Sequence, residues 1–298
     1  MTDITLLDGS IGQELVKRST DAATPLWSTQ VMIDHPDLVR AVHADYFAAG
    51  ATVATANTYA IHRNRLARAD LLDQMETLLS TALSQAGDAR DAHGSGRVGG
   101  AMGPYLATYR PDLAPDPDEA AAAFRGIATQ MLPHVDLLML ETVSSVQEAS
   151  GALRGVMDLG KPVWIGFTVD DENGTQLRSG EPLTDILPLL AEYRPAAVLL
   201  NCSTPEAIRA GLPTLAETGL PFGAYANGFE RITEGFLQDA PTIDALTARR
   251  DLTPEAYADH AMGWVDAGAT IVGGCCEVGP AHIAQIARRL GDAGHTIV

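Results

Sequence analysis

The chain has 298 residues, 46% of them hydrophobic and 19% charged, which is ordinary for a soluble globular enzyme and enough for one large α/β domain or two small ones. A formal net charge of -18 argues against nucleic acid or an anionic membrane as partner, because either requires a basic face. There is no apolar stretch of membrane-spanning length and no basic, apolar leader at the start, and three cysteines, two of them adjacent, do not make a disulfide framework. A cytoplasmic, reducing compartment suits them as thiols.

In chain order, residues 6–10 (Leu6-Leu7-Asp8-Gly9-Ser10) end a short strand in a turn, and Ile11 opens a helix. Residues 36–50 have the spacing of an amphipathic helix with a glycine stop, and residues 52–57 form the next strand. Further apolar, turn-bounded strands are predicted at 98–102, 136–141, 163–168, 197–202, 222–227 and 270–276. The third is preceded by a flexible lead-in, residues 94–97, and followed by a proline-rich loop, residues 110–118, expected to lie over the strand ends. Residues 229–250 are longer than a normal connection, and Thr253 then caps a helix with Pro254 in its first position. Eight strands, each separated from the next by room for a helix, predict a single-domain (β/α)8 (TIM) barrel spanning 1–298. A doubly wound sheet is the alternative, weakened because Asp8-Gly9-Ser10-Ile11-Gly12 has the wrong spacing for a dinucleotide turn.

Barrel chemistry sits at the C-terminal ends of strands. Those ends carry Asp8, Asn57-Thr58-Tyr59, Gly103-Pro104-Tyr105, Glu141-Thr142, Thr168, Asn201-Cys202, Tyr225-Ala226-Asn227 and Cys275-Cys276. Three thiolates converging with a fourth position open is a catalytic zinc arrangement rather than a closed structural one. The bland alternative is that the cysteines are small apolar core residues, and a redox role lacks the two-residue spacing of dithiol oxidoreductases. His43, His62 and His282 fall in no H-x-H or H-E-x-x-H pattern and read as structural or surface residues, which weakens a barrel metallohydrolase. Trp164 and Phe167 are assigned to the core.

With these motifs the chain resembles the zinc-dependent homocysteine S-methyltransferases, which include S-methylmethionine-dependent and betaine-dependent enzymes. The resemblance runs over nearly the whole length. It is carried by Leu7-Asp8-Gly9-Ser10, Leu26-Trp27-Ser28, the stretch His43 to Ala51, Ala56-Asn57-Thr58-Tyr59, Gly103-Pro104-Tyr105, Glu141-Thr142, Asn201-Cys202, Ala226-Asn227-Gly228 and Gly273-Gly274-Cys275-Cys276. The Asn-Cys and Gly-Gly-Cys-Cys pair, in that order on two late strands, is its most specific part.

The resemblance implies Zn2+ held by Cys202, Cys275 and Cys276, with the homocysteine sulfur as fourth ligand and no catalytic residue beyond the metal site. Asp8 and Glu141 would grip the substrate ammonium, unless Asp8 merely caps the following helix and Glu141 pairs within the barrel. An onium methyl donor would face Trp27, Tyr59, Tyr105 and Tyr225, with Asn57, Asn201 and Asn227 orienting neighbouring groups. The implied reaction transfers methyl from a sulfonium donor, S-methylmethionine or S-adenosylmethionine, to homocysteine. Betaine or dimethylsulfoniopropionate as donor, selenocysteine as acceptor, and a zinc-binding protein without turnover are the alternatives. Two departures from the family pattern stand out: Glu277-Val278-Gly279 where Gly-Thr-Thr is usual, and Ala226 where proline is common. An acid beside the ligands is expected to alter the donor pocket or product release.

Overall fold

Alternation of strand and helix runs through the whole computed structural model, which describes residues 2–20, 26–237 and 245–298. The chain begins with β1 (Asp3–Leu6), α1 (Ile11–Ser19), α2 (Ser28–Asp34), α3 (Pro36–Ala48), β2 (Val53–Thr55), α4 (Arg63–Arg68) and α5 (Met75–His93). It continues with β3 (Arg97–Met102), α6 (Pro117–Met131), β4 (Leu137–Val143), α7 (Val146–Val156), β5 (Val163–Phe167) and α8 (Leu187–Tyr193). The last third holds β6 (Ala197–Asn201), α9 (Pro205–Ala216), β7 (Phe222–Ala226), α10 (Pro254–Asp266), β8 (Ile271–Gly274), α11 (Pro280–Asp292) and β9 (Thr296–Ile297).

Local chemistry sets these boundaries. The hydroxyls of Ser10, Ser145, Thr204 and Thr253 each accept a hydrogen bond from an N–H in the first turn of the helix that follows. Proline stands in that first turn after Thr204 and Thr253, where no intrahelical N–H is needed. After α5 the chain turns at Gly94, whose φ of +89° most side chains would resist.

Strands β1 to β8 are parallel neighbours in sequence order, with β1 beside β8. The sheet closes on itself between β1 and β2: Leu7 bridges Val53, the Thr52 N–H donates to Leu6 O at 2.7 Å, and the Asp8 N–H to Val53 O at 3.2 Å. This is the (β/α)8 barrel, and closure rules out an open doubly wound sheet. Strand β9 pairs with the start of β1, and the Thr52 hydroxyl caps it by donating to Val298 O at 2.7 Å.

Period-two alternation divides the strand residues between two cores. Leu138, Leu140, Val198, Leu200 and Val272 pack outward under the helices. Leu7, Val53, Leu137, Met139, Trp164, Leu199, Tyr225 and Ile271 fill the barrel interior. Trp164 lies under the Arg97 guanidinium, 5.6 Å from its ring centroid, and Phe167 is fully buried on the outer side, so both are core residues as expected. Among the described residues no helix is long and apolar enough to cross a membrane.

Candidate functional site

The same alternation that points Leu137 and Met139 inward points Glu141 inward one step higher, and on β6 it does the same for Asn201 after Leu199. With Tyr225 they form the floor of a cavity of ≈ 130 Å³ at the C-terminal end of the barrel. Gly166 makes room for that floor, since a Cβ there would lie 2.8 Å from Tyr225 Oη and 2.9 Å from Asn201 Oδ1. Tyr225 donates to Glu141 Oε1 at 2.9 Å. Burial pushes the Glu141 carboxyl up to about 7, against the Tyr225 hydrogen bond and with a smaller push from Asp8.

Asp8 is held from β2. The Thr55 N–H reaches its Oδ2 at 2.6 Å and the Thr55 hydroxyl its Oδ1 at 2.7 Å. Burial raises it too to about 7, although both Thr55 contacts oppose the shift. Asp8 does not cap α1, because that post is filled by Ser10. Two carboxyl groups thus face one cavity, each kept near half-ionised at neutral pH and each strengthened by the arrival of a cation.

The three cysteines stand just past strand ends rather than on them. Cys202 follows β6 and Cys275-Cys276 follow β8, and their sulfurs all lie within 4.8 Å of one another at the cavity wall. Cys202 and Cys275, with Cα atoms 5.7 Å apart, are joined as a disulfide, whereas Cys276 is free. Neighbouring strand ends hold this pair at the span a disulfide bridges, so the three sulfurs are available together as thiols only when the bond is reduced. Burial, followed by the charge of Glu277, pushes the Cys276 thiol up to about 12. With the bond reduced, this set of three sulfur donors beside a buried, carboxylate-bearing cavity fits a thiophilic metal ion. The glycines before the pair are required by packing: a Cβ on Gly273 would meet Leu7 and one on Gly274 would meet Val278.

Above the sulfurs lies an aromatic roof that the sequence did not mark, apart from Trp27. The Phe236 ring sits 5.8 Å from Trp27 and 6.0 Å from Tyr109, and Phe229 and Leu246 also line the cavity. Residues 238–244 of the long connection from 229 to 250 lie outside the described residues. Tyr59 lines the cavity with its hydroxyl 2.9 Å from Thr108 Oγ1, and burial lifts its pKa to about 12. Asn57 lines it while binding Ser28, whose hydroxyl donates to Asn57 Oδ1 at 2.6 Å. Asn201 accepts the Thr142 N–H at 3.1 Å and so holds the irregular end of β4 beside Glu141.

Tyr105 and Asn227 are not on the cavity wall. Tyr105 turns away to pack 6.2 Å from His62, and Asn227 Oδ1 accepts the Phe229 N–H at 3.1 Å. His43 and His62 are buried and held neutral, pulled down by burial to about 4 and about 3, while His282 Nδ1 accepts the Gly279 N–H at 3.2 Å where α11 begins. The proline-rich loop does reach the roof: Arg110 donates to Leu237 O at 2.7 Å.

The chain matches the family described as homocysteine S-methyltransferase over residues 5–290. It is 32% identical over 308 residues to the homocysteine S-methyltransferase of Escherichia coli strain K12, covering 96% of this chain and 95% of that protein. The chain belongs to the homocysteine S-methyltransferase family. The crystal structure of the Escherichia coli homocysteine methyltransferase MmuM in its metallated form superposes with a TM-score of 0.80 at 30% identity, covering 97% of this chain and 96% of that one. Its oxidized form superposes with the same TM-score of 0.80 at 31% identity and the same coverage.

Within this homocysteine S-methyltransferase fold, the departure at Glu277 has a structural account. Glu277 takes a left-handed φ of +67°, and its carboxylate does not line the cavity. It is bound instead by α1: Gln13 Nε2 donates to Oε1 at 2.6 Å and Lys17 Nζ to Oε2 at 3.1 Å, while the Glu277 N–H returns to Gln13 Oε1. The acid therefore ties the Cys275-Cys276 turn to the first helix and touches the cavity lining only through Gln13. At the other departure, the small Ala226 carries a carbonyl that accepts the Tyr257 hydroxyl at 3.0 Å.

Proposed function

We propose that residues 1–298 act as one barrel domain that transfers a methyl group from a small sulfonium donor to homocysteine, using Zn2+ held by Cys202, Cys275 and Cys276. The observation that carries the reading is three cysteine sulfurs within 4.8 Å of one another on the wall of a cavity that also presents Asp8 and Glu141. Zinc held there would lower the pKa of the homocysteine thiol, so that its proton passes to solvent near neutral pH while the sulfur stays nucleophilic.

The chain's own residues do the rest. Asp8 and Glu141 take the substrate ammonium by charge-assisted hydrogen bonds, and Tyr225, which burial and Glu141 keep protonated, fixes the direction of the Glu141 carboxylate. That grip aims the sulfur at the metal side of the cavity. Trp27, Phe236, Tyr109 and Tyr59 surround the donor's positive sulfur, each face contributing about 0.5–2 kcal/mol, and they keep water from the methyl group. In the displacement the substrate sulfur forms the new bond to methyl, and the donor sulfur leaves with the electron pair of the broken C–S bond. The leaving group is then a neutral thioether, and no general base is needed in that step.

Reduced thiols are a condition of this chemistry, which supports a cytoplasmic setting. The test is methionine formation by reduced, zinc-loaded protein with homocysteine fixed and S-methylmethionine, S-adenosylmethionine, betaine and dimethylsulfoniopropionate as donors. Turnover with a sulfonium donor is the expected result. One bound zinc with no methyl transfer from any of the four would leave a zinc-binding protein without turnover.

A further inference from the structure

Cys202 has an unusual backbone for a side chain with a Cβ: its φ is +48°, in the left-handed region, where surroundings must enforce the conformation. Enforcement comes at its carbonyl oxygen. The Tyr109 hydroxyl donates to it at 3.2 Å, the Thr168 hydroxyl at 3.2 Å and Arg178 Nη2 at 3.4 Å. Arg178 organises the other two donors. Its Nε donates to Thr168 Oγ1 at 2.9 Å, whose hydroxyl lies between the Cys202 carbonyl and Ser203 Oγ at 3.0 Å, and its guanidinium lies 4.8 Å from the centroid of the Tyr109 ring.

Arg178 is fixed by Asp171. The two form an ion pair at 2.9 Å with side chains only 10% and 7% exposed. Asp171 Oδ1 also accepts the Thr204 N–H at 3.0 Å, two residues beyond Cys202, while Oδ2 accepts the Ile232 N–H at 2.9 Å. Ile232 belongs to the segment that carries the roof residues Phe229 and Phe236. One buried ion pair therefore grips the Cys202 turn at the Cys202 carbonyl and the Thr204 N–H and anchors the cavity roof. Neither Asp171 nor Arg178 lines the cavity, so neither is there to touch substrate.

We propose that Arg178 and Asp171 are positioning residues for metal capture: they hold the Cys202 backbone so that its sulfur meets those of Cys275 and Cys276, and they couple that turn to the roof through Ile232. The proposal rests on the zinc reading above. It predicts that metal affinity, rather than only stability, depends on residues that are neither ligands nor cavity wall.

The experiment is zinc competition between reduced protein and a chromophoric chelator, with the unfolding midpoint recorded for each variant. Arg178→Met should weaken zinc about ten- to hundredfold, the range for groups that orient a ligand from behind. Thr168→Val, which removes one donor and no charge, should fold even if Arg178→Met does not, and should weaken zinc by at least about threefold. Arg178→Lys keeps the charge opposite Asp171 but loses the fork, so it should fall between wild type and Arg178→Met. Unchanged zinc affinity in Thr168→Val and in the folded Arg178 variants, whatever their midpoints, overturns the proposal while leaving the zinc reading intact. A wild-type protein that binds no zinc overturns both.

Discussion

Replacing Glu141 by glutamine keeps the shape of the side chain and an oxygen for Tyr225, and removes only the charge offered to the substrate ammonium. A hydrogen bond to a charged group in a buried site contributes about 1.5–3 kcal/mol, so the homocysteine kcat/KM should fall about 10- to 150-fold. The size of the loss should depend on pH. Because the unliganded Glu141 carboxyl sits at about 7, it is largely ionised at pH 8, whereas at pH 6 binding must first expel a proton at a cost of about 1.4 kcal/mol. The gap between wild type and Glu141→Gln should therefore shrink about tenfold from pH 8 to pH 6. The assay is steady-state methylation at saturating donor, run with homocysteine and with 4-mercaptobutanoate, which lacks the amino group. If the carboxylate grips the ammonium, deleting the amino group should cost the wild type more than it costs the variant, which keeps only the Asp8 contact. Equal sensitivity of wild type and variant to loss of the amino group would refute the assignment.

Other outcomes follow from the same geometry. Asp8 and Glu141 have folded pKa values raised by burial above their unfolded ones, so the stability they contribute is full below about pH 4 and is lost as pH rises through about 7. Urea midpoints of ligand-free protein should fall over that window, and Asp8→Asn with Glu141→Gln should flatten the fall. Glu277→Gly relieves a left-handed φ but gives up the Gln13 and Lys17 contacts; urea denaturation should show a net change of at most about 1 kcal/mol, and a donor panel should show unchanged preference, because the carboxylate is bound by α1. Trp27→Ala should raise the KM for a sulfonium donor about 2- to 30-fold with little effect on the homocysteine KM, measured by varying each substrate in turn. Chelator treatment of reduced protein should abolish methyl transfer and added zinc restore it, whereas protein carrying the Cys202–Cys275 bond should take up no zinc until a phosphine reductant is added.

The eight strands were legible because buried parallel strands are short apolar runs bounded by turns, and the barrel follows from their number and spacing. Strand ends were less legible: β6 stops at Asn201 and β8 at Gly274, because the ladder gives way where Cys202 adopts its left-handed turn and the chain bends to Val278. Glu141 could be picked out because its position on β4 fixes which way the side chain points, and Asp8 and the cysteines because they follow within two residues of the ends of β1, β6 and β8. Loops carry no such rule. Nothing in the sequence tells Tyr109 from Tyr105, since the choice depends on how the chain folds back after Gly103 packs on the Tyr59 ring. Phe236 and Gln13 were equally hidden, as each gains its role from partners far along the chain, Trp27 and Tyr109 for one and Glu277 for the other.

Zinc K-edge X-ray absorption on reduced, zinc-loaded protein, recorded before and after homocysteine is added, tests the central claim most directly. Three sulfur neighbours rising to four on addition, each near 2.3 Å as is usual for zinc thiolates, is the result expected if Cys202, Cys275 and Cys276 hold the metal and the substrate sulfur joins them. A sulfur count that stays the same when homocysteine binds would contradict it.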